Sequence, residues 1–301
     1  MRFSKLFLAV LFLHSAVVLA QSEVFLRLNK SEDSISFILK KAVSSPTNAE
    51  KLAYNDSLST MLNRILRTEQ SFDYPFDSLK KVGKIYSPDH SFRIINWNMP
   101  LTDGTYQYRG YIQVLNSKTK KLKLFELKDQ SDKVIKPENS VLGAGKWYGV
   151  LYYKILKNVV NNRTYYTMIG LRYNSLFITQ KVIEVLYFDE RGNPVFGAPI
   201  FQVDNKIKHR VIFNFSARVG MSLKYNEELK MIVCDHLAPS ESKYIGQYEY
   251  YGPDFSFDGY EFIKGKWVLK TDLNLKNPNP SRPPTINHPP DHNRKVNPAN
   301  R

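Results

Sequence analysis

The chain has 301 residues, 43% of them hydrophobic and 13% aromatic, with 43 Lys plus Arg against 28 Asp plus Glu and a formal charge of +15. These values exclude disorder over most of the length and allow one large domain or two small ones. The single cysteine excludes an internal disulfide, a four-cysteine zinc site and an iron–sulfur centre.

The N-terminus reads as an export leader. Arg2 and Lys5 precede an apolar run from Leu6 to Ala20 that ends Val18-Leu19-Ala20 before Gln21, the charged, apolar and small-residue order of a secretory signal peptide. The run is short of the roughly 20 residues a membrane span needs, so residues 1–20 are expected to be cleaved and to leave no transmembrane anchor. A bacterial lipoprotein would carry cysteine where Gln21 stands, so no lipid anchor is expected. Loss of Arg2 and Lys5 lowers the charge by only two, and the basic mature chain would be attracted to envelope polymers and other anionic surfaces.

Residues 21–75 form an N-terminal helical segment expected to pack on the body. Thr47-Asn48-Ala49-Glu50 has capping-box form, in which hydroxyl and carboxylate each accept a free backbone N–H. Leu58, Met61, Leu62, Ile65 and Leu66 follow at helical spacing. The expectation is a helix over 49–69, preceded by a shorter one over 31–43 with Ile35, Ile38, Leu39 and Ala42 inward.

From residue 76 to 275 the period becomes two and β-formers dominate. Thr105–Leu115 and Lys121–Lys128 read as a hairpin. Lys146–Lys157 is apolar on both alternating faces and reads as a central strand, paired with Thr164–Tyr173 across Asn161-Asn162-Arg163. Lys181–Phe188 and Pro194–Val203 read as another hairpin, and strands are expected at 209–217, 219–225, 229–236, 244–250 and 265–273. The fold class is therefore mainly β, an antiparallel sandwich, barrel or partial-propeller-like domain with one or two N-terminal helices. Residues 276–301 hold seven of the sixteen prolines and few apolar residues, the composition of a disordered basic tail.

Two clusters are candidates for chemistry. In Met231-Ile232-Val233-Cys234-Asp235-His236, alternation puts Cys234 and His236 on one strand face, roughly 6–7 Å apart and too far for direct thiol activation. A metal would require a third ligand such as Asp254 or Asp258, and no spacing signature supports one, so neither a metal nor a cofactor is expected. The plainer reading is a buried, inert Cys234 on a structural strand. The second cluster, Tyr248 to Glu261, combines Tyr250 and Tyr251 with Asp254, Asp258 and Glu261. Carboxylates among aromatics suit glycan binding, and with His236 they could serve hydrolysis of glycan or peptide. The bland alternative is two tight turns, Gly-Pro-Asp and Asp-Gly, between aromatic edge strands. No catalytic residue is assigned.

Ser87-Pro88-Asp89 with Arg93-Ile94-Ile95-Asn96-Trp97, Lys146-Trp147-Tyr148-Gly149 with Tyr152-Tyr153, Phe196 to Phe201, and Cys234-Asp235-His236-Leu237 with Tyr251-Gly252-Pro253-Asp254 together resemble an uncharacterised family of exported proteins from Bacteroidetes-type Gram-negative bacteria. The resemblance covers about residues 70–275. It implies an envelope or extracellular address and brings no activity or catalytic residues. The expected function is non-catalytic: a periplasmic or secreted protein binding an envelope protein, a glycan or another anionic polymer, without specific nucleic-acid recognition.

Overall fold

The computed structural model describes the backbone of residues 2–116, 118–119 and 121–275, with side chains from Glu23 onward. The tail expected over 276–301 lies outside the described residues.

Two helices open the chain. Helix α1 spans Arg2–Ser44 and absorbs the shorter helix expected over 31–43. Leu28, Ile35, Leu39 and Ala42 are its buried apolar residues among those described, one stripe at spacings of seven, four and three. Helix α2 spans Asn48–Ile65 behind the Thr47 cap, whose Oγ1 accepts the Glu50 N–H at 3.3 Å. The capping box is only half made, because the Glu50 carboxylate takes the Thr47 hydroxyl hydrogen at 3.0 Å. The helix ends four residues earlier than expected, and a single turn of 3₁₀ helix follows at Glu69–Ser71.

Sixteen strands follow among the described residues. The first sheet holds β1 (Gly83–Tyr86), β2 (Phe92–Pro100), β3 (Tyr106–Leu115) and β4 (Leu122–Lys128) in sequential antiparallel order. The second holds β5 (Leu142–Gly143), β6 (Leu151–Val160), β7 (Arg163–Tyr173), β8 (Ile178–Phe188) and β9 (Pro194–Phe196), in the order β5-β9-β8-β7-β6. The third contains β10 (Phe201–Val203), β11 (Lys206–Lys208), β13 (Leu223–Asn226), β14 (Met231–Pro239), β15 (Tyr251–Ile263) and β16 (Lys266–Lys270), while β12 (Arg210–Ser216) pairs with β8. All pairings between strands are antiparallel except β10 with β16. The sheets are open, and the chain is mainly β with its helices at the N-terminus.

Period-two alternation stacks these layers. Ile95, Trp97 and Tyr111 of the first sheet face α1 and α2 in one core, while Ile94, Tyr108 and Ile112 face the second sheet in another. In the second sheet Met168 and Val182 point toward the first sheet, whereas Ile169, Ile183 and Val185 point toward the third. The order is helices, sheet, sheet, sheet. Both middle layers are covered on both faces, which is why β2, β7 and β8 are buried over most of their length, polar residues included.

Four expectations are corrected. Residues 146–150 are not strand: Trp147, Tyr148 and Val150 are buried in an irregular segment that bends at Gly149 (φ +72°), and β6 starts only at Leu151, at the end of its sheet. The two-sided apolarity came from that inserted segment rather than from a central strand. Pro194–Val203 breaks at Gly197 (φ +93°), so β9 stays in the second sheet and β10 crosses to the third. Residues 244–250 form two 3₁₀ turns, Ser242–Tyr244 and Tyr248–Tyr250. Gly-Pro-Asp at 252–254 and Asp258-Gly259 are not turns but parts of the thirteen-residue strand β15.

Buried charge ties the layers together. Arg93 is fully buried, donating to the backbone carbonyls of Tyr74 (2.8 Å) and Ser71 and to the Gln113 side chain, with the Phe76 ring 5.3 Å away. Arg210 and Glu184 form a fully buried pair, Nη2 to Oε2 2.6 Å and Nε to Oε2 2.8 Å, while Tyr152 donates its hydroxyl to Glu184 Oε1.

Candidate functional site

The predicted cluster lies on β14, β15 and the turns between them, and a bulge decides its geometry. Asp235 pairs with Phe257 but Leu237 pairs with Pro253, so one residue on β14, His236, opposes three on β15. These three, 254–256, form a bulge loop within β15 with Phe255 at its apex. Phe255 has φ +71° and is 94% exposed. A bulky residue in the left-handed region is strained, and a bulge commonly re-aims a side chain. Asp254 holds the loop closed, its Oδ1 accepting the Ser256 N–H at 3.0 Å and the Ser256 hydroxyl at 2.7 Å. The Ser256 hydroxyl, more than any other contact, keeps the Asp254 carboxyl below the usual carboxylate range. This local role is that of a turn-closing aspartate.

The same bulge separates Cys234 from His236. Cys234 is 1% exposed in the core between the second and third sheets, and burial pushes its thiol up to about 12. His236 lies at the bulge with its side chain 43% exposed, Nδ1 2.7 Å from Asp258 Oδ2. That bond raises the His236 pKa against the opposing effect of burial, with Asp258, Asp254 and Asp272 adding attraction. Asp258 also accepts the Asp272 N–H at 3.3 Å. A carboxylate orienting an imidazole is two-thirds of a catalytic triad. The neighbouring thiol that would complete it is protonated and inside the core. No cluster of three or more metal-ligating side chains occurs among the described residues.

Glu261 stands apart. It pairs in register with Met231 and Val268, and its carboxylate lies 3.8 Å from Lys270 Nζ. Seven positions of strand put it roughly 20 Å from Asp254, well beyond the roughly 5–9.5 Å between the carboxyl groups of glycosidases. The three predicted carboxylates therefore do not converge.

The tyrosines do converge. Tyr244 and Tyr250 stack with centroids 3.9 Å apart and planes 14° from parallel. Tyr248 lies 5.2 Å from Tyr251, whose hydroxyl accepts the Gly246 N–H at 3.0 Å. Gly246 has φ +84°, the conformation that lets the two turns bring these rings together. Tyr250, Tyr251 and Asp254 share a groove of about 400 Å³ with Arg218, Val219 and Pro239. Neither His236 nor Asp258 lines it. Tyr248 and Tyr250 are each 42% exposed, and Ile245 is 72% exposed. The exposed Phe255 is the residue the sequence reading missed; its one sequence signal was an aromatic flanked by Asp254 and Ser256, a local hydrogen-bonding pair. No family model matches the chain, nor does any curated protein or solved structure.

Proposed function

We propose that the chain is a non-catalytic exported protein, periplasmic or secreted from a Bacteroidetes-type bacterium, that binds an envelope glycan or protein partner through the tyrosine surface of residues 244–255. The carrying observation is the Tyr244–Tyr250 stack beside a groove lined by Tyr250 and Tyr251, in which Asp254 is engaged by Ser256 and Glu249 is the other acid. Flat aromatic faces bind sugar rings and partner side chains at low entropic cost. Export rests on the leader sequence. No helix among the described residues is long and apolar enough to cross a membrane.

Co-sedimentation with isolated envelopes and a glycan array, each run on wild type and the Tyr244→Ala/Tyr250→Ala double variant, tests the binding. Retention of wild type and loss of the variant is the expected result; equal retention overturns it. Intact mass of protein from the native host should begin at Gln21. The hydrolase alternative draws on the His236–Asp258 pair. It predicts polysaccharide or peptide cleavage that Asp258→Asn abolishes.

A further inference from the structure

A second cleft adjoins the tyrosine surface, with Tyr248 on its rim. It encloses about 440 Å³, within the roughly 300–1,000 Å³ range of small-molecule sites. Segments distant in sequence build it: the loop at 135–139, β8 through Gln180, β12 through Ile212 and Asn214, and the turn carrying Tyr248.

Its floor is a relay of neutral polar groups. The Tyr148 hydroxyl lies 3.4 Å from Gln180 Oε1, and Gln180 Nε2 donates to Asn214 Oδ1 at 2.7 Å. Tyr148 and Gln180 are 5% and 6% exposed. Asn214 Nδ2 has no hydrogen-bond partner among the described residues, and the Asn139 amide group also lacks one. Arg210 behind the floor is committed to Glu184 and to the Pro137 carbonyl. Lys208 is paired with Glu138 at 2.9 Å.

The loop is pinned in place. The His209 N–H donates to the Glu138 carbonyl at 2.7 Å, and Glu138 Oε1 also accepts the Ile212 N–H at 3.4 Å. Tyr148 is held between charges, with the Arg172 and Arg210 guanidiniums each 5.3 Å from its ring centroid. Such a site is formed before a ligand arrives, which lowers the cost of binding.

Resting on the glycan-binding reading above, we infer that this cleft seats an uncharged sugar residue of a glycan chain, with Asn214, Asn139 and Gln180 bonding its hydroxyls and Tyr248 covering one ring face. The chemistry follows from the groups present. An anion would want a buried free cation; of the two lysines on the lining, Lys208 is paired with Glu138 and Lys136 stands exposed on the loop, where solvent screens it. An apolar guest would bury amide groups left without partners, which disfavours it. Hydroxyls both donate and accept, and so match amide side chains that offer both.

Calorimetric titration of the full chain with cellohexaose, xylohexaose and chitohexaose tests the inference, with sulfated dextran as the anionic control. Wild type should bind at least one neutral hexasaccharide. Asn139→Ala should weaken that binding roughly tenfold or more, the cost of leaving a sugar hydroxyl unpaired, without lowering the melting temperature, and Asn214→Leu should weaken it likewise while lowering the melting temperature through loss of the bond from Gln180. Tyr248→Ala should weaken it as well. Unchanged binding by both asparagine variants, with loss in Tyr244→Ala/Tyr250→Ala, overturns the cleft and leaves the tyrosine surface standing. Binding of sulfated dextran alone, equal in all variants and abolished by salt, also overturns the cleft. No hexasaccharide binding by wild type overturns both readings for glycans.

Discussion

Cys234 and Asp254 show how single residues acquire roles from their surroundings. Cys234 sits 1% exposed among Ile232, Tyr260 and Trp267, and its thiol is pushed up to about 12 by burial. The reactive species is the thiolate, so at pH 8 the folded protein should leave the thiol unmodified by a disulfide reagent over hours. One equivalent should react after unfolding in guanidinium. Fast labelling of the native state would mean that the third sheet opens. Asp254 closes the bulge that displays Phe255. Asp254→Ala should cost about 0.5–1 kcal/mol, the low end for side-chain caps because the residue is exposed. Its larger effect should be on binding, through release of Phe255, and comparison of the melts and envelope binding of Asp254→Ala with those of Phe255→Ala separates the two effects.

Among the elements, those written by one periodicity were legible in advance. The stripe Leu58, Met61, Leu62, Ile65 and Leu66 does pack in the first core, and Asn161 and Asn162 do make the β6–β7 turn, both with positive φ. What misled was burial without regular structure. Trp147 and Tyr148 are as apolar and as buried as strand residues, but they fill a core from an irregular segment that a left-handed Gly149 redirects. The candidate site failed in a related way. Asp254, Asp258 and Glu261 are close in sequence, yet an extended strand spreads neighbours apart where a loop would gather them. The amides of the neighbouring cleft left no motif, because Gln180 and Asn214 meet only through pairing of β8 with β12, and Asn139 joins them from the loop at 135–139. That pairing carries the buried Arg210–Glu184 contact. Removing one partner of a buried pair strands the other charge, at a cost of about 3–5 kcal/mol. Glu184→Gln should therefore lower stability by about 3 kcal/mol in denaturant melts. Replacing both residues by Met should recover part of the loss; if it recovers none, the contribution lies in the hydrogen bonds to Tyr152 and Pro137 instead.

At the scale of the whole molecule, four stacked layers leave three interfaces, and charged contacts cross the middle one, those of Asp89 among them. Asp89, in the Ser-Pro-Asp turn before β2, accepts hydrogen bonds at Oδ1 from the Ser87 hydroxyl (2.8 Å) and the Ser91 hydroxyl (2.7 Å). Its Oδ2 meets Tyr166 Oη and Lys157 Nζ of the second sheet, each at 2.9 Å. Burial works to raise its pKa, but the bonds from Lys157, Ser91, Ser87 and Tyr166 prevail and hold it well below the ordinary carboxylate range. A carboxyl whose folded-state pKa is depressed contributes stability above the unfolded value, near pH 4, and loses it as pH falls through the lower folded value. The Asp89 contribution should therefore be constant from neutral pH down to about pH 4 and shrink in more acid solution. His236 has the opposite sign: its raised pKa gives stability that is complete below about pH 6.5 and is lost as pH rises through the folded value. The two windows do not overlap, so each can be read separately. Asp89→Asn should cost about 1–2 kcal/mol at pH 7, as expected for partly exposed hydrogen bonds to a charged group. The difference in melting temperature from wild type should then narrow steadily below pH 4. A difference that stays constant into acid would show that the asparagine is penalised for its shape in the turn, and that the charge contact between the first and second sheets contributes nothing.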